Sequence, residues 1–360
     1  MLRDLTVQNY RCFEDFHIDG LERVNLFVGN NNSGKTSLLE AIYLFVNPDK
    51  RQTLFETIEN RINYLYIENI SFYPIRHLFY QHEFSTKSSI YIESQNDIKQ
   101  KTLVKFSCSP YVIRNYNFSS PYLDIFDSQY MVVNGQEEFT KISNRSSLIN
   151  IEDKEYIKTL TVDIREKYRQ FESRTNNVLV SANRLFFDKV AFMWDSIVLT
   201  SKENKIIEAL NIIEEDLERI SFSSNQSTNL IRLKLKHQES PVPISSMGEG
   251  MYRTLALAMS LVTAENGVLL VDEIETGLHY EAQTDMWRLI LETTKELNVQ
   301  VFATTHSWDC IAAFQEALSQ IENKSIGKLF RLDNKYGKIR AVEYNAEDLD
   351  IAVRNSIEVR

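Results

Sequence analysis

Residues 29–36, GNNNSGKT, lie between two apolar segments, RVNLFV (23–28) and LLEAIYLFV (38–46). The stretch matches the full pattern GxxxxGK[ST]. Its glycines let backbone N–H groups approach a phosphate closely, its lysine supplies positive charge for the β- and γ-phosphates, and its threonine hydroxyl can bind Mg²⁺. Because the pattern follows a predicted strand and opens a predicted helix, it predicts a phosphate-binding loop at a helix N-terminus.

The alternative for this stretch is a glycine-rich turn that carries a solvated lysine. The position of the full pattern, after a strand and before a helix, favours nucleotide binding. The residues expected to contact the nucleotide are Asn30, Asn32, Ser33, Gly34, Lys35, Thr36 and Ser37, and Thr36 is also expected to bind the metal.

Two acids follow a second apolar run, in the segment VLLVDEIETGLH (268–279). An uninterrupted apolar run is typical of a central parallel strand buried on both faces. Ligands bind at the carboxyl ends of such strands in open α/β sheets. We therefore expect Asp272 to hold Mg²⁺ and Glu273 to act as the general base that polarises the attacking water. The alternative is that both acids only cap the following turn.

A histidine ends the next predicted strand, in VQVFATTHS (299–307). A lone histidine in such a place is more often structural than chemical. His306, however, lies one βα unit after Asp272, so the two strands could be neighbours in the sheet. An imidazole there could donate a hydrogen bond to the γ-phosphate. We therefore predict that His306 takes part in catalysis.

The segment SSMGEG (245–250) precedes the apolar helix MYRTLALAMSLVTA. Ser246 and Glu249 have the S-x-x-E spacing of a capping box, so the segment by itself favours a helix cap. Glycines at the mouth of a helix would also let a phosphate approach the helix N-terminus. Both interpretations are compatible with one segment.

The composition of the chain narrows its class. The 360 residues are 43% hydrophobic, which is enough for a large core, and the formal net charge is −10. Such an acidic chain does not hold nucleic acid by global charge, so DNA contact would need a local basic patch. Cys12, Cys108 and Cys310 form no CxxC pair, which argues against a zinc cluster. The sequence shows no signal peptide and no apolar run of about 20 residues. We expect a cytoplasmic protein with no membrane contact.

The remaining sequence predicts an α/β fold with an insertion. We expect a head formed by residues 1–47 and 181–360, in which strands and helices alternate and build a parallel sheet. Residues 48–180 carry short β-like runs such as SSIYIES and KTLVKFS and a polar helical segment, and are predicted to be an inserted β-rich and helical subdomain. Residues 201–222 have helical spacing and are predicted to form a helical arm.

Together the motifs GNNNSGKT, SSMGEG, LLVDE and TTHS resemble the ABC-type ATPase heads of the SMC, RecF and OLD families. The resemblance covers residues 1–47 and 181–360. It implies a P-loop NTPase fold with a mixed or parallel sheet flanked by helices. It also implies that ATP and Mg²⁺ are bound, and that Arg11, in NYRCFEDF, lies close to the nucleotide.

The same resemblance implies a dimer that encloses ATP between the phosphate loop of one subunit and the signature segment of the other. SSMGEG would be that signature. Its nucleotide-contacting residues would be Ser246, Gly248 and Glu249. Three residues of ETGLH, namely Glu275, Gly277 and His279, would lie near the dimer seam. The Q-loop of the family is weakly marked, and Gln81 is the candidate.

Departures from the family pattern favour a stand-alone OLD-like (AAA family) ATPase. The chain lacks the long coiled coil of a chromosomal SMC protein. The 54 residues after His306 are too few for the TOPRIM nuclease domain of an OLD protein. Such heads often work with a separately encoded effector, commonly a nuclease in antiviral defence. We therefore expect a homodimer or higher homo-oligomer that controls a partner protein.

Three other functions remain open at this stage. A RecF-like DNA-repair ATPase would need a basic stripe on the insertion, and its candidates are Lys99, Lys101, Lys105 and Arg114. A P-loop small-molecule kinase would have an arginine-rich lid and no SSMGEG. A scaffold that binds ATP without turnover would not need Glu273.

Overall fold

A computed structural model of the chain describes residues 1–47, 53, 57, 78–83, 88–97, 101–109, 122–124, 129–133, 136–140, 148–150, 176–182, 187–224 and 229–360. The chain forms two compact units. The first unit comprises Met1–Leu21, Glu40–Thr175 and Asn334–Ala341, and the second comprises Glu22–Leu39, Asn176–Asp333 and Val342–Arg360.

The described strands and helices have the following bounds. The strands are β1 (Asp4–Tyr10), β2 (Phe13–Asp19), β3 (Val24–Val28), β4 (Ser89–Gln95), β5 (Lys101–Ser109), β6 (Tyr122–Asp124), β7 (Gln129–Val133), β8 (Gln136–Thr140), β9 (Leu148–Asn150), β10 (Asn177–Val180), β11 (Leu217–Ser224), β12 (Asn229–Leu235), β13 (Val242–Pro243), β14 (Val268–Val271), β15 (Gln300–Thr304), β16 (Gly327–Lys335) and β17 (Lys338–Tyr344). The helices are α1 (Lys35–Val46), α2 (Phe187–Ile197), α3 (Ser201–Leu210), α4 (Glu249–Thr263), α5 (Tyr280–Glu296), α6 (Trp308–Gln320) and α7 (Ala346–Arg354).

A six-stranded sheet forms the centre of the second unit, in the order β10-β14-β15-β3-β16-β17. The pairs β10–β14, β14–β15, β15–β3 and β3–β16 are all parallel. Every residue of β3, β14 and β15 is buried, as expected for central strands covered on both faces. The structure therefore confirms the predicted α/β fold. The carboxyl ends of these strands meet at one edge of the sheet.

Helix α4 is the most deeply buried helix of the second unit. All of its residues from Met251 to Val262 are buried, because the apolar side chains of MYRTLALAMSLV surround the helix. Helices α5 and α6 pack together through aromatic rings, and the ring centroids of Trp287 and Phe314 lie 4.7 Å apart. Among the described helices none is long and apolar enough to cross a bilayer.

The predicted helical arm over 201–222 is wrong in its second half. Helix α3 ends at Leu210, and residues 217–224 form β11, which pairs antiparallel with β12. Ile220 and Phe222 lie on the packed face of this strand, where Phe222 stacks on Trp194. Residues 201–220 do show helical spacing, but the cross-strand packing of 217–224 outweighs that local preference.

The first unit contains an eight-stranded antiparallel sheet, whose main path runs β2-β1-β4-β5-β6-β9. Strands β4 and β5 confirm the β-like runs predicted at 88–94 and 101–107. Strands β1 and β2 form a hairpin in which Tyr10 pairs with Phe13, and Arg11 in its turn has a φ of 49°. The turn between β1 and β2, Arg11-Cys12, lacks the Asn-Gly signal of a tight hairpin, and the sequence therefore does not predict β2. The runs at 69–75 and 111–118 and the helix predicted at 153–173 lie outside the described residues.

The predicted boundary after residue 180 is misplaced. Strand β10 pairs in parallel with β14 over Asn177–Val180, so these residues belong to the second unit and not to the insertion. Residues 177–180 join the second unit because they hydrogen-bond to the buried strand β14. The sequence of a four-residue strand does not indicate which strand it pairs with. The division into units also differs from the predicted boundary between residues 47 and 48, because Met1–Leu21 and Glu40–Thr175 both belong to the first unit.

Candidate functional site

The phosphate loop joins β3 to α1 as the sequence predicts. Asn30 and Asn32 are exposed, and Ser33 and Ser37 are buried. The ammonium of Lys35 donates to the backbone carbonyls of Gly29, at 2.7 Å, and Asn30, at 3.0 Å. The lysine therefore lies folded over the loop, above the first turn of a helix whose N-terminus carries partial positive charge.

Gly29 cannot be replaced without moving the loop. It has a φ of 143°, and a Cβ at this position would lie 2.6 Å from the carbonyl oxygen of Leu332 and 2.7 Å from Oγ of Ser33. The first of these neighbours is main chain of β16 and the second is the buried serine of the loop. The loop can therefore lie this close to β16 only because Gly29 has no side chain.

We expect Gly29→Ala to weaken ATP binding about tenfold or more, since backbone strain of about 1–3 kcal/mol is added to a loop that must bind phosphate. Titration with a fluorescent ATP analogue measures the change. Gly337→Ala is the matched control, because Gly337 also has a positive φ but has no atom within 4 Å of the new Cβ. Unchanged affinity in Gly29→Ala would show that the loop accommodates a side chain.

Thr36 and Asp272 meet at the carboxyl edge of the sheet. The hydroxyl of Thr36 lies 3.2 Å from Oδ1 and 3.0 Å from Oδ2 of Asp272. Oδ1 of Asp272 also accepts a hydrogen bond of 2.6 Å from the hydroxyl of Thr304, on β15. The two residues predicted to bind the metal are thus in contact, although 236 positions separate them in the chain.

Glu273 adopts a backbone conformation that is uncommon for glutamate. Its φ is 49°, in the left-handed region. Its backbone N–H donates to Oγ1 of Thr304 at 2.9 Å, so one threonine holds both predicted acids. The carboxylate of Glu273 keeps 42% of its surface exposed. The acid is accessible to solvent while its backbone is held.

His306 follows β15, which pairs with β14 as the sequence suggested, and its side chain lies beside two glutamates. Its Nδ1 is 3.8 Å from Oε1 of Glu273 and 3.5 Å from Oε1 of Glu275. The backbone N–H of His306 also donates to Oε1 of Glu275, at 3.3 Å. Glu275 is buried, and its Oε2 has no hydrogen-bond partner among the described residues. The histidine therefore lies between an accessible acid and a buried one.

Lys35 and Cys310 are among the groups of this region that have shifted pKa values. Burial lowers the pKa of Lys35, while the carboxylates of Asp272, Glu273 and Glu275 act in the opposite direction and favour the charged ammonium. Burial, with a further contribution from Glu275, raises the pKa of Cys310 to about 12. The Cys310 thiol therefore stays protonated at neutral pH and cannot serve as a nucleophile there.

The capping box predicted for Ser246 and Glu249 is wrong. Ser246 belongs to a 3₁₀ turn over Ile244–Met247, and its hydroxyl donates to the carbonyl of Pro243 at 2.7 Å. Gly248 is the N-cap of α4, with no side-chain hydrogen bond to the helix. The 3₁₀ turn shifts the helix start by two residues, so the serine cannot reach the first N–H groups of α4.

The signature segment instead packs against the ETGLH loop of the same unit. A Cβ on Gly250 would lie 2.5 Å from the carbonyl oxygen of Gly277, and a Cβ on Gly277 would lie 3.7 Å from Cγ of Glu249. Ser246, Gly248 and Glu249 are exposed, and the space over Gly248 is open for 4 Å. The N-terminus of α4 is thus accessible to solvent. His279, at the end of the loop, is also exposed.

Arg11 and Gln81 are the two predicted site residues that belong to the first unit. Arg11 forms a buried ion pair, in which its Nε lies 2.8 Å from Oε2 of Glu40. The hydroxyl of Tyr10 accepts a further hydrogen bond from Arg11, at 3.1 Å. Gln81 lies in a 3₁₀ turn with a φ of 51° and is exposed. Nucleotide contact by Arg11 and the Q-loop role of Gln81 stay predictions.

Two residues at this edge were missed at the level of sequence. Thr304 holds Asp272 and Glu273, and its signal was a hydroxyl at the end of an apolar strand. Arg253, on α4, donates to the backbone carbonyls of both acids. The only indication of this role in the sequence was a single arginine within a mainly apolar helical segment.

A phosphate loop, an acidic strand end, a strand-end histidine and a glycine-capped signature helix, placed around a parallel sheet, define an ABC-type ATPase head of the SMC, RecF and OLD kind. A family model described as AAA ATPase domain matches residues 1–311. The chain belongs to this family of ATPase domains. Nucleotide binding follows from that membership.

Relatives and solved structures agree with this class. An ATP/GTP phosphatase of Helicobacter pylori is 24% identical over 386 aligned residues, which cover 99% of this chain and 98% of that protein. The DNA replication and repair protein RecF of Streptococcus suis is 23% identical over 357 residues, covering 88% and 96%. An SMC head domain from Pyrococcus furiosus has a TM-score of 0.54 at 12% identity and covers 99% of both chains. At this identity the likeness shows the fold.

Proposed function

We propose that this protein is a Mg²⁺-dependent ATPase whose heads pair around ATP and thereby control a separate effector protein. The observation that carries the proposal is the convergence of Thr36, Asp272 and Glu273 beside the phosphate loop. The exposed N-terminus of α4 supplies the surface to which a second copy of the protein would bind. The chain thus offers a hydrolytic half-site and a signature half-site.

The residues of the loop fit a phosphate. Oγ of Ser33 is buried and has no hydrogen-bond partner among the described residues. A bound phosphate oxygen is the kind of acceptor that such a hydroxyl requires. The Lys35 ammonium and the N-terminus of α1 favour an anion at the same place. ATP is therefore the substrate that this cradle supports.

The residues also fit Mg²⁺. Thr36 and Asp272 would hold it, because hydroxyl and carboxylate oxygens are its preferred protein ligands. When bound, the ion neutralises charge on the β- and γ-phosphates. No group of three or more His, Cys, Asp or Glu side chains gathers as a metal cluster in the described part of the chain. Mg²⁺ does not need such a cluster, since it takes one or two protein ligands together with phosphate oxygens and water.

Glu273 is the general base in this proposal, and His306 its neighbour at the γ-phosphate. The accessible carboxylate of Glu273 can accept a proton from the attacking water. His306, held by Glu275 at both its backbone N–H and its ring, can present its other ring nitrogen to a phosphate oxygen. The chain's contribution is to orient water, phosphate and proton acceptor before reaction.

Pairing of two heads is supported by the exposure of the signature residues. Ser246, Gly248 and Glu249 face solvent at the start of a 15-residue helix, where a phosphate of another subunit could approach. The contact of Gly250 with Gly277 ties this surface to the ETGLH loop. ATP bound to one copy would contact the signature residues of the second copy, and through them would affect the ETGLH loop of that second copy.

Control of an effector is supported by analogy. A second SMC head, with a TM-score of 0.53, 14% identity and coverage of 97% and 99%, was solved bound to the C-terminal winged-helix domain of ScpA. A head of this fold can therefore carry a separate protein. From the resemblance to OLD-like heads we propose that the effector is a nuclease of antiviral defence.

Mass measurement in solution tests the pairing. We expect Glu273→Gln, which slows hydrolysis, to double its mass when ATP and Mg²⁺ are added. Ser246→Arg, introduced into the same variant, should prevent this change, because an arginine would fill the space that a phosphate of the second copy needs. Light scattering with and without ATP gives the masses.

Ser227→Arg is the control, since it adds the same charge in the segment between β11 and β12, away from the signature in sequence. Normal ATP-dependent assembly of the Ser246→Arg variant would rule out the signature as a trans half-site. A constant mass in every variant would overturn the pairing itself.

DNA repair is the second candidate function, and the full-length similarity to RecF favours it. Of its four predicted basic residues, Lys99 and Arg114 lie outside the described residues. Lys101 and Lys105 both belong to β5. Salt-dependent binding of duplex DNA, lost in Lys101→Ala with Lys105→Ala, would support this function over effector control.

A further inference from the structure

Arg253 is a buried cation in the second turn of the signature helix α4. The residue is 6% exposed and lies on a helix whose buried residues are mostly apolar. The guanidinium donates to the backbone carbonyls of Ser181 at 2.8 Å, Asp272 at 3.0 Å and Glu273 at 3.4 Å. These acceptors belong to two different chain segments.

Both segments are the carboxyl ends of neighbouring strands. Ser181 follows β10 and Asp272 follows β14, and the N–H of Asp272 donates to the carbonyl of Val180 at 2.8 Å. The planar guanidinium donates from separate nitrogen atoms, and here Nη1 bonds to Ser181 and Nη2 to Asp272, whereas an ammonium would have to donate from a single nitrogen. Arg253 therefore joins α4 to both strand ends.

Burial of this charge requires an explanation beyond packing. A buried charge is unfavourable unless it is paired or well hydrogen-bonded. Within the described part of the chain, Arg253 makes no ion pair within 4 Å. The carboxylates that act on its charge are, in decreasing order, Asp272, Glu273, Glu275 and Glu249. Three of the four belong to the acidic strand end or the loop after it.

Arg253 and Thr304 hold Glu273 from opposite sides. The arginine binds the carbonyl of Glu273, and the threonine hydroxyl accepts its N–H. The residue between these two bonds has the uncommon φ of 49°. Such a conformation persists only where the surroundings hold it in place.

We propose that Arg253 is a positioning residue, which holds the backbone of Asp272 and Glu273 in register with the signature helix. The inference rests on the proposed roles of these two acids and deepens them. Any displacement at the N-terminus of α4, where Gly250 touches Gly277, is then transmitted to Asp272 and Glu273 through the side chain of Arg253. Hydrolysis is thereby made sensitive to the state of the signature.

Arg253→Lys tests the proposal, because it keeps the charge and removes the divergent donors. We expect ATP affinity to stay within about threefold and kcat to fall by about ten- to a hundredfold, since small misplacements of catalytic groups have effects of that size. Hydrogen–deuterium exchange of the peptide 268–279, measured without nucleotide, should become faster. Arg288→Lys is the control, because Arg288 lies half-exposed on α5 and bonds only to side chains.

Arg253→Lys with wild-type kcat and unchanged exchange would overturn the proposal. Failure of Arg253→Lys to fold, seen by circular dichroism, would also overturn it, because the residue would then be structural only. These outcomes differ from a failure of the proposed pairing, which would appear as a constant mass with ATP in the wild type and in Glu273→Gln. Exchange of 268–279 depends neither on pairing nor on turnover.

Discussion

Glu273→Gln is expected to lower steady-state ATP hydrolysis by about a hundredfold to ten-thousandfold, the range that a general base contributes. Glutamine has the same shape but cannot accept the proton of the attacking water. The backbone of Glu273 is held by Thr304 and Arg253, so the loop should keep its conformation. ATP affinity should therefore change little.

Phosphate release and ATP titration measure the two quantities separately. Glu292→Gln is the matched control, because it removes the same charge from an exposed position on α5. If Glu273→Gln hydrolyses ATP at the wild-type rate, the assignment of the base is wrong. If it loses ATP binding as well, the residue acts on the nucleotide and not only on the water.

Glu40→Leu is expected to reduce the free energy of unfolding by about 3–5 kcal/mol, the usual effect of removing one partner from a buried ion pair. Glu40, on α1, and Arg11 have side-chain exposures of only 3% and 8%, and their charged atoms lie 2.8 Å apart. Removing the carboxylate leaves the guanidinium in a buried place without the charge that faces it. Urea unfolding measures the loss.

Asp97→Ala is the control for this prediction. Asp97 pairs with Arg3 at the surface, where the side chains are 43% and 39% exposed, so the variant should lose about 1 kcal/mol or less. An equal, small loss in both variants would contradict a structural role for the Arg11–Glu40 pair. ATP titration of Arg11→Ala tests in addition whether Arg11 contacts the nucleotide, as the family resemblance implies.

The sequence identified the parts of the site that are contiguous in the chain. GNNNSGKT, the apolar run before Asp272 and the strand-end His306 each contain the local chemistry that marks them. The buried strand β14 was visible as an uninterrupted apolar run, and β3 and β15 as mainly apolar runs, which are typical of strands buried on both faces. Local composition and spacing therefore sufficed for the fold class.

Local sequence patterns do not decide the structure where another hydrogen bond or a strand pairing competes with them. Ser246 and Glu249 have the spacing of a capping box, yet a 3₁₀ turn directs Ser246 to the carbonyl of Pro243. Residues 217–220 end a segment with helical spacing, yet they belong to a strand that pairs with β12. In both places a hydrogen bond or strand pairing outside the local pattern has the larger effect on free energy.

What the sequence by itself determined is the class of fold and the chemical groups of the site. The tertiary structure alone decided which groups meet: Thr304 with Asp272, Glu275 with His306, and Arg253 with the carbonyls of two strand ends. Contacts of this kind depend on strand order and register. Hydrophobic spacing along the chain encodes which side of a strand is buried, but it does not encode which strand lies beside it.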